Sequence, residues 1–322
     1  MRQFPRPKVL VSRCLEFDNI RHDGHIVRSD IVRALMPLAD LMPVCPEVEI
    51  GLGVPRDPLR IVRVNGEDRL IMPSTGEDLT DAMLGFTKDF LDDLGNIDGC
   101  IFKGHSPSMG IDDARVYAKA SLSPVVKKSA GLFAGRVIDE YPGYPIEEND
   151  RLRNVRIRHH FLTHLYTFAA FRKAKADGSM EALIEFNRNN RFLFISYDSS
   201  IATEMSLLQG SEKEISLIFE EYGSLLGSLM RRPGSIDKKV NAARDMFFTL
   251  KDITQEEGSF FEDMLGRYAD NRISEDAMIE VLRMLAFRTQ GDVSYNNTFL
   301  YPYPEELKGK ADETRDKEYW DK

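Results

Sequence analysis

The first part of the chain alternates short apolar runs with segments of helical period, and this alternation restricts the fold more than any other feature. The apolar runs, which have the length and flanks of buried strands, are 8–12, 41–45 and 99–103. The segments with helical period are 29–39, 80–94 and 131–141. Strands that alternate with helices predict an α/β fold, in which a mostly parallel sheet carries helices on its faces.

A hairpin signal interrupts the alternation. The strand-like segments 60–64 and 67–72 are separated only by Asn65-Gly66. Asn-Gly suits a type I′ turn, because both central residues of that turn need a positive φ. We therefore expect two antiparallel strands here, in addition to the parallel sheet.

A boundary is predicted near residues 141–150, where proline, glycine and acidic residues cluster. The segments beyond it are mainly helical in period: 152–173, 180–194, 211–230, 237–251, 254–268 and 274–287. We predict an α/β domain over 1–148, followed by a separate all-α domain over 149–322. The aromatic, proline-rich segment 299–304 is expected to pack back as an extended tail.

Composition restricts the compartment and the class of protein. Three cysteines in 322 residues do not form a disulfide framework. No apolar run is long enough to span a membrane, and the first residues lack the apolar core of a signal peptide. We expect a cytoplasmic protein without membrane association. The net charge of −9 argues against a uniformly basic nucleic-acid binder, although a local basic face remains compatible with it.

Cys14, Cys45 and the loop that contains Ser106 all fall at or just past the ends of predicted strands. Ligands of parallel α/β sheets bind beyond the carboxyl ends of the strands. The three loops are therefore predicted to contribute to one shared site. Cys100 fits less well, because it lies at the start of its strand.

The residues around these positions resemble the thiouracil desulfurase family, fused to a helical domain of the YbgA-like kind. The matching motifs are Val11 to Leu15 with Arg21 to Gly24, Val44 to Glu47 with Gly51-Leu52 and Pro55-Arg56, Lys103 with Ser106 to Ser108 and Gly110, and the tail Asn297 to Leu307. The resemblance covers nearly the whole chain. It implies a [4Fe–4S] cluster held by three cysteines, and removal of sulfur from thiolated pyrimidines. The fusion is similar to proteins that act on 4-thiouridine in tRNA.

The implied metal ligands are Cys14 and Cys45, and the third ligand is where this chain departs from the family. Met109 occupies the position at which the family has a cysteine. Cys100, nine positions earlier, is the remaining thiol, and it replaces the missing ligand only if the fold brings its sulfur into the site. A methionine thioether is a poor substitute for a cluster thiolate.

The implied reaction assigns roles to further residues. An open iron binds the soft thiocarbonyl sulfur and acts as a Lewis acid, so that water can attack the attached carbon once a general base is present. Glu47 is the candidate base, and Ser106 and Ser108 are candidate hydrogen-bond partners of the pyrimidine or its sulfur. The residues expected to shape the substrate pocket are Arg21, Asp23, Arg56 and Lys103.

The stretch 151–176 contains no Asp or Glu, although the protein as a whole is acidic. Such a basic stripe is typical of phosphate binding. The candidate RNA-binding residues are Arg151, Arg153, Arg156, Arg158, Arg172 and Lys173. The alternative is a helix whose arginines pair with acids elsewhere in the protein.

Three functions are compatible with these observations. The first is a cluster-dependent desulfidase of 4-thiouridine in tRNA, and the second is a non-catalytic RNA-binding relative that has lost the cluster. The third is a desulfurase of free 2-thiouracil, whose helical domain serves dimerisation. A zinc site at His160 and His164 is less favoured, because no Cys-x-x-Cys pair or His-Glu-x-x-His motif accompanies the two histidines. The sequence does not specify the oligomeric state.

Overall fold

A computed structural model of the chain describes residues 2–121, 123–290 and 296–308. It confirms the predicted α/β region with a parallel sheet and the all-helical region that follows. The strands are β1 Lys8–Ser12, β2 Asp40–Val44, β3 Arg60–Val64, β4 Glu67–Met72, β5 Glu77–Asp78, β6 Gly99–Phe102, β7 Ala114–Tyr117, β8 Val125–Ser129 and β9 Ile146–Glu148. They form two sheets.

The first sheet has the strand order β2-β1-β6-β9, and all of its strands are parallel. The register places Leu10 beside Met42 on one side and Cys100 on the other. Because all four strands run in one direction, the loops that leave their carboxyl ends lie along one edge.

The second sheet has the order β5-β4-β3-β7-β8 and is antiparallel except between β3 and β7. Its centre is the predicted hairpin of β3 and β4. Asn65 and Gly66 both have positive φ, of 50° and 88°, as a type I′ turn requires. The sequence patterns did not predict β5, β7 or β8.

The helices of the α/β region are α1 Asp30–Leu35, α2 Pro46–Glu49, α3 Thr80–Asp93 and α4 Leu132–Glu140. One face of the first sheet packs against the second sheet, α3 and α4, in a core that includes Leu10, Phe102, Ile61, Met83 and Phe133. The other face, with Val9, Val11 and Ile101, packs against α1. Both faces of the parallel sheet are therefore covered, as is usual for α/β proteins.

The helices of the second region are α5 Val155–Asp177, α6 Met180–Tyr197, α7 Ser199–Leu207, α8 Ile215–Leu229, α9 Ile236–Phe247, α10 Gln255–Ala269 and α11 Glu275–Gln290. The predicted helices are confirmed, whereas α7 was not foreseen. The side chain of Asn154 caps α5 by accepting from the amides of Arg156 and Ile157, and Gly178 ends the helix with a φ of 73°.

Helix α5 connects the two regions. Its first half places Phe161 and Leu165 in the core beneath Val9 and Ile101, and its second half places Phe171 in the helical core. The tail packs back as expected, because Tyr303 and Leu307 are buried in the core under the first sheet. Among the described residues, no helix combines the length and apolar character needed to cross a bilayer.

Candidate functional site

The loops after the four parallel strands meet at one edge of the first sheet and are joined by backbone contacts. The amide of Arg13 donates to the carbonyl of Val44 over 2.9 Å, which links the loops that carry Cys14 and Cys45. The amide of Lys103 donates to Ser12 Oγ over 2.9 Å, and the amide of Asn149 to the carbonyl of Phe102 over 3.0 Å. The strand ends of β2, β1, β6 and β9 therefore form one continuous rim.

Glu47 is the centre of a buried hydrogen-bond network at this rim. It follows Cys45 in the first turn of α2, where Pro46 begins the helix. Its Oε1 accepts from Ser108 Oγ over 2.7 Å, and its Oε2 accepts from Arg56 Nη2 over 2.7 Å and Nε over 3.0 Å. The side chains of Arg56 and Glu47 are only 6% and 12% exposed. This charge-assisted pair fixes the carboxylate in one orientation.

Arg56 also holds the surrounding loops in place. Its Nη1 donates to the carbonyls of Ile20 and Gly53 over 3.0 and 3.3 Å, and its backbone amide donates to the carbonyl of His22 over 2.8 Å. Its Nη2 lies 3.9 Å from Cys45 Sγ. Arg56, which was predicted to contact substrate, therefore also connects the first two motif loops to Glu47.

The Ser106–Gly110 loop is held by a local turn and by α4. Ser106 Oγ accepts from the amides of Ser108 and Met109 over 3.3 and 3.2 Å, and it lies 3.0 Å from Ser108 Oγ. The carbonyl of Ser108 accepts from the amides of Phe133 and Ala134 over 3.1 and 3.0 Å. The free amides in the first turn of α4 therefore donate to this loop. These hydrogen bonds hold Ser108 with its hydroxyl directed at Glu47.

Cys14 and Cys45 lie in the same electrostatic environment. Burial, together with nearby Cys45 and Glu47, raises the pKa of Cys14 to about 12, while Lys103 acts in the opposite direction. Burial also raises the pKa of Cys45, and the nearby Glu47 charge adds to this, while the amide of Val48 and the Arg56 guanidinium act in the opposite direction. Without a bound metal, both side chains are protonated thiols at neutral pH.

Cys100 and Met109 are both buried in the apolar core. Cys100 is fully buried, and it shares the cluster of Leu10 and Phe102, whereas Cys14 packs against the cluster on the other face of the sheet. Met109 is 4% exposed in the same cluster as Cys100. Within the described ranges, no three side chains of His, Cys, Asp or Glu are grouped so that they could hold a metal ion. The arrangement does not fit a cluster held by three cysteines.

The other residues predicted to contact substrate lie around this network. Arg21 pairs with Asp23 over 2.9 Å, and both side chains are partly exposed, at 43% and 33%. Lys103 Nζ donates to the carbonyl of Gly104 over 2.9 Å and pairs with Asp150 over 3.2 Å. Lys103 therefore pairs with an acid two residues after β9, and its positive charge also lowers the pKa of Cys14.

Sequence reasoning missed Glu148, which lies beneath the Ser106 loop. Its Oε1 accepts from the amide of Ile111 over 2.9 Å, and the residue is 3% exposed. Burial, supported by the charge of Asp113, raises its pKa to about 7. The acidic run at 147–150 looked like a boundary, and only the pairing of β9 with β6 places it in the sheet.

The candidate RNA-binding residues divide into two groups. Arg151 pairs with Glu147 over 2.9 Å, Arg153 lies 3.6 Å from Asp150, and Arg172 forms a close pair at 2.8 Å with Asp98, which is 1% exposed. The side chains without an ion-pair partner among the described residues are Arg156, Arg158 and Lys173. Arg172 therefore has a structural role. The positive charges that no described acid pairs with lie mainly at the start of α5.

Comparisons with known proteins match both regions. Residues 9–149 match the sequence profile of the family described as 2-thiouracil desulfurase, and residues 191–304 match a family described as a protein of unknown function, DUF1722. An uncharacterized protein, YbbK of Bacillus subtilis (strain 168), is 32% identical over 114 residues, covering 32% of this chain and 72% of the relative. A solved structure described as the [4Fe-4S]-dependent thiouracil desulfidase TudS is 25% identical. That match covers 46% of this chain and 94% of the solved one, with a TM-score of 0.37.

Proposed function

Because the chain belongs to the 2-thiouracil desulfurase family through residues 9–149, we propose that it removes sulfur from thiolated uracil, with 4-thiouridine in tRNA as its substrate. The observation that carries the proposal is the Ser108–Glu47–Arg56 network at the carboxyl ends of the parallel strands. It presents a fixed carboxylate beside two hydroxyl groups, at the edge where ligands of such sheets bind.

These residues can perform the acid–base part of a hydrolysis. Glu47 takes a proton from water, the water oxygen bonds to the ring carbon, and the carbon–sulfur bond breaks. Glu47 gives its proton to the leaving sulfur, and the second proton of the attacking water follows as the C=O bond forms. The sulfur leaves as hydrogen sulfide, so that C=S and water become C=O and H₂S without oxidation or reduction. Ser106 donates a hydrogen bond that holds the pyrimidine, and Ser108 accepts one while its own proton stays on Glu47. Arg56 keeps the Glu47 carboxylate in position. No step in this scheme passes through a metal, because the described residues do not fit the three-cysteine cluster.

The RNA part of the proposal rests on the charge near this rim. Arg151 and Arg153 follow directly after β9, one of the four strands whose ends form the rim. Arg156 and Arg158 come next, in the first turn of α5, and no described acid pairs with either. Guanidinium groups in this position can bind the phosphates that flank a nucleotide at the rim.

The function is tested by incubating the purified protein with 4-thiouridine-containing tRNA, free 4-thiouridine and 2-thiouracil. Loss of the thiocarbonyl absorption and release of sulfide are measured together. The proposal expects turnover on the tRNA, and a loss of about 100-fold or more in the Glu47→Gln variant. The matched control is Glu49→Gln, in the same helix, which pairs with Arg13 at the protein surface. Turnover of 2-thiouracil alone would instead indicate a free-base enzyme.

A second function, RNA binding without catalysis, is favoured by Met109. The thioether occupies the position of the family's third cysteine and is buried among apolar residues. This alternative expects salt-dependent tRNA binding, no sulfide release from any of the three substrates, and no iron after anaerobic reconstitution. Sulfide release that Glu47→Gln abolishes would exclude it.

A further inference from the structure

The carboxyl groups of Asp113 and Glu148 lie buried under the loop that carries Ser106 and Ser108. Glu148 is 3% exposed, and the side chain of Asp113 is 12% exposed. Glycine makes room for them, because a Cβ at Gly104 would lie 2.7 Å from Glu148 Oε2 and 3.5 Å from Asp113 Oδ2. Both carboxyl groups therefore lie against the same position of the backbone, close to each other.

The two acids anchor both ends of this loop. Asp113 Oδ1 accepts from the amide of His105 over 2.7 Å, and Asp113 Oδ2 contacts Nδ1 of the His105 ring. Glu148 Oε1 accepts from the amide of Ile111 over 2.9 Å. His105 and Ile111 flank the Ser106–Gly110 loop on its two sides, so each acid fixes one end of it.

Two carboxylates buried side by side repel each other, so these acids do not both ionise at neutral pH. Burial, together with the charge of Asp113 and a hydrogen bond to it, raises the pKa of Glu148 to about 7, while the amide of Ile111 acts in the opposite direction. Below that pH the two acids hold one proton between them. A hydrogen bond between the carboxyl groups then takes the place of their repulsion.

The other charged side chains around the two acids pair with each other. These pairs are Lys103 with Asp150 over 3.2 Å, and Arg151 with Glu147 over 2.9 Å and with Asp112 over 3.9 Å. The charge of Asp112 acts on the pKa of Glu148 in the same direction as that of Asp113. Among the described side chains, no cation pairs with Glu148. A proton shared with Asp113 is therefore what relieves the repulsion between the two acids.

We propose that Asp113 and Glu148 are positioning residues of the desulfidase, which share one proton and thereby hold the Ser108 hydroxyl on Glu47. The loop between their two anchors carries this hydroxyl, which donates to Glu47 Oε1 over 2.7 Å. When Glu148 releases its proton to water, repulsion between the two anions separates the anchors, and Ser108 no longer orients the Glu47 carboxylate. This role rests on the proposed desulfidase activity, whereas the anchoring of the loop can be measured without it.

The first test measures kcat and KM for 4-thiouridine-containing tRNA between about pH 6 and pH 8. In the unaltered protein, kcat is expected to fall about tenfold over this range, because the protonated fraction of Glu148 falls by that factor around a pKa of about 7. KM is expected to change less than about twofold, because the orientation of the carboxylate affects the reacting state and not RNA binding.

Variants of Glu148 separate positioning from a merely structural role. Glu148→Ala removes both contacts and is expected to lower kcat about tenfold or more at every pH. Glu148→Gln is expected to rescue kcat and to remove its alkaline fall, since an amide accepts from Ile111 and donates to Asp113 at any pH. The matched control is Asp112→Asn, which neutralises the exposed neighbour of Asp113 and should keep the alkaline fall.

Hydrogen–deuterium exchange of residues 104–112 in the full chain tests the loop without any turnover. Opening of the loop exposes Glu148 to water, where its pKa returns to the ordinary 4.5, so that opening releases a proton and becomes easier as the pH rises. The ratio of exchange rates in the unaltered protein to those in Glu148→Gln is therefore expected to rise about tenfold between pH 6 and pH 8. Intrinsic exchange rates cancel in this ratio.

A ratio that stays constant with pH overturns the role of the two acids, with or without turnover. An alkaline fall in kcat that persists in Glu148→Gln also overturns it, because another group would then set the pH dependence. If the ratio rises but no substrate releases sulfide, the two acids do hold the loop, and it is the desulfidase function that fails.

Discussion

Ser108 Oγ donates to Glu47 Oε1 over 2.7 Å, although the two residues are 61 positions apart in the sequence. The contact joins the loop after β2 to the loop after β6. Ser108 is 1% exposed, and α4 holds its backbone carbonyl. A catalytic carboxylate in this position is oriented from both sides, by a hydroxyl on one oxygen and by Arg56 on the other.

Replacing Ser108 with Ala is expected to lower the free energy of unfolding by about 2 kcal/mol, since a buried hydrogen bond to a charged acceptor is lost. Desulfidation is expected to fall about tenfold or more, because the carboxylate loses one of its two orienting contacts. Urea unfolding and sulfide release measure the two effects. The control is Ser123→Ala, which removes an exposed hydroxyl that is bonded to Lys119 in a distant loop. If both serine variants behave alike, Ser108 does not orient Glu47.

Replacing Arg56 with Met is expected to cost about 3 kcal/mol of stability, because it leaves the buried Glu47 carboxylate without its counter-charge. Arg69→Met is the matched control. Arg69 pairs with Glu67 over 3.1 Å and lies 3.7 Å from Asp78 and Asp81, all of them partly exposed, so its loss should cost less than about 1 kcal/mol. Equal midpoints of urea unfolding for the two variants would contradict the buried pair.

Replacing Met109 with Cys is expected to restore a cluster site. The unaltered protein should hold much less than one [4Fe–4S] cluster per chain after anaerobic reconstitution, and the variant should approach one cluster per chain. Iron and acid-labile sulfide contents are the measurement. Met36→Cys, which adds a thiol at an exposed position after α1, controls for non-specific iron binding. A full cluster in the unaltered protein that Cys100→Ser abolishes would show that Cys100 is the third ligand.

The raised pKa of Glu148 predicts how stability depends on pH. The folded state favours its protonated form, with a pKa of about 7 compared with the ordinary 4.5. The contribution of Glu148 to the free energy of unfolding is therefore fully present below about pH 4.5, and it is lost as the pH rises through 7. Glu148→Gln, measured by urea unfolding between these limits, should flatten the dependence. Glu140→Gln, at an exposed position of α4, should leave it unchanged. An unchanged slope in Glu148→Gln would sink this assignment.

Salt dependence tests the RNA interface at the start of α5. The double variant Arg156→Gln, Arg158→Gln should weaken tRNA binding and reduce the slope of log affinity against log salt by about one to two units. Lys88→Gln, on exposed α3, should change neither quantity. Arg172→Gln should lower stability instead, because Asp98 loses its partner. An unaltered slope in the double variant would place the RNA elsewhere.

Local patterns predicted most of the fold. The Asn65-Gly66 turn, the apolar runs and the helical periods each act over a few residues, so they are visible in the sequence. Strand β8 was missed because its residues Val125–Lys128 are exposed and include lysines, so no apolar alternation marks it. Helix α7 was missed because only Asp198 separates it from α6.

The candidate site was predictable only in part, because several of its contacts join residues that are distant in the sequence. Strand ends located Cys14, Cys45 and Ser106, since the ends of parallel strands share an edge. The pairing of Arg56 with Glu47 and the burial of Glu148 depend on loops and strands that are distant in sequence. Burial of Met109 and Cys100 in one apolar cluster likewise follows from packing between two sheets, which no local pattern specifies.

Helix α5 belongs to both hydrophobic cores, with Phe161 and Leu165 under the sheet and Phe171 among the helices. The two regions therefore share this helix, which fills part of the hydrophobic core of each. A chain cut after Glu148 would keep α1 on the sheet face formed by Val9 and Ile101, but it would lose the part of the cover that Phe161 and Leu165 provide. The family profiles end and begin on either side of this helix, at residues 149 and 191, so the segment between the two matched families is the one that packs into both cores.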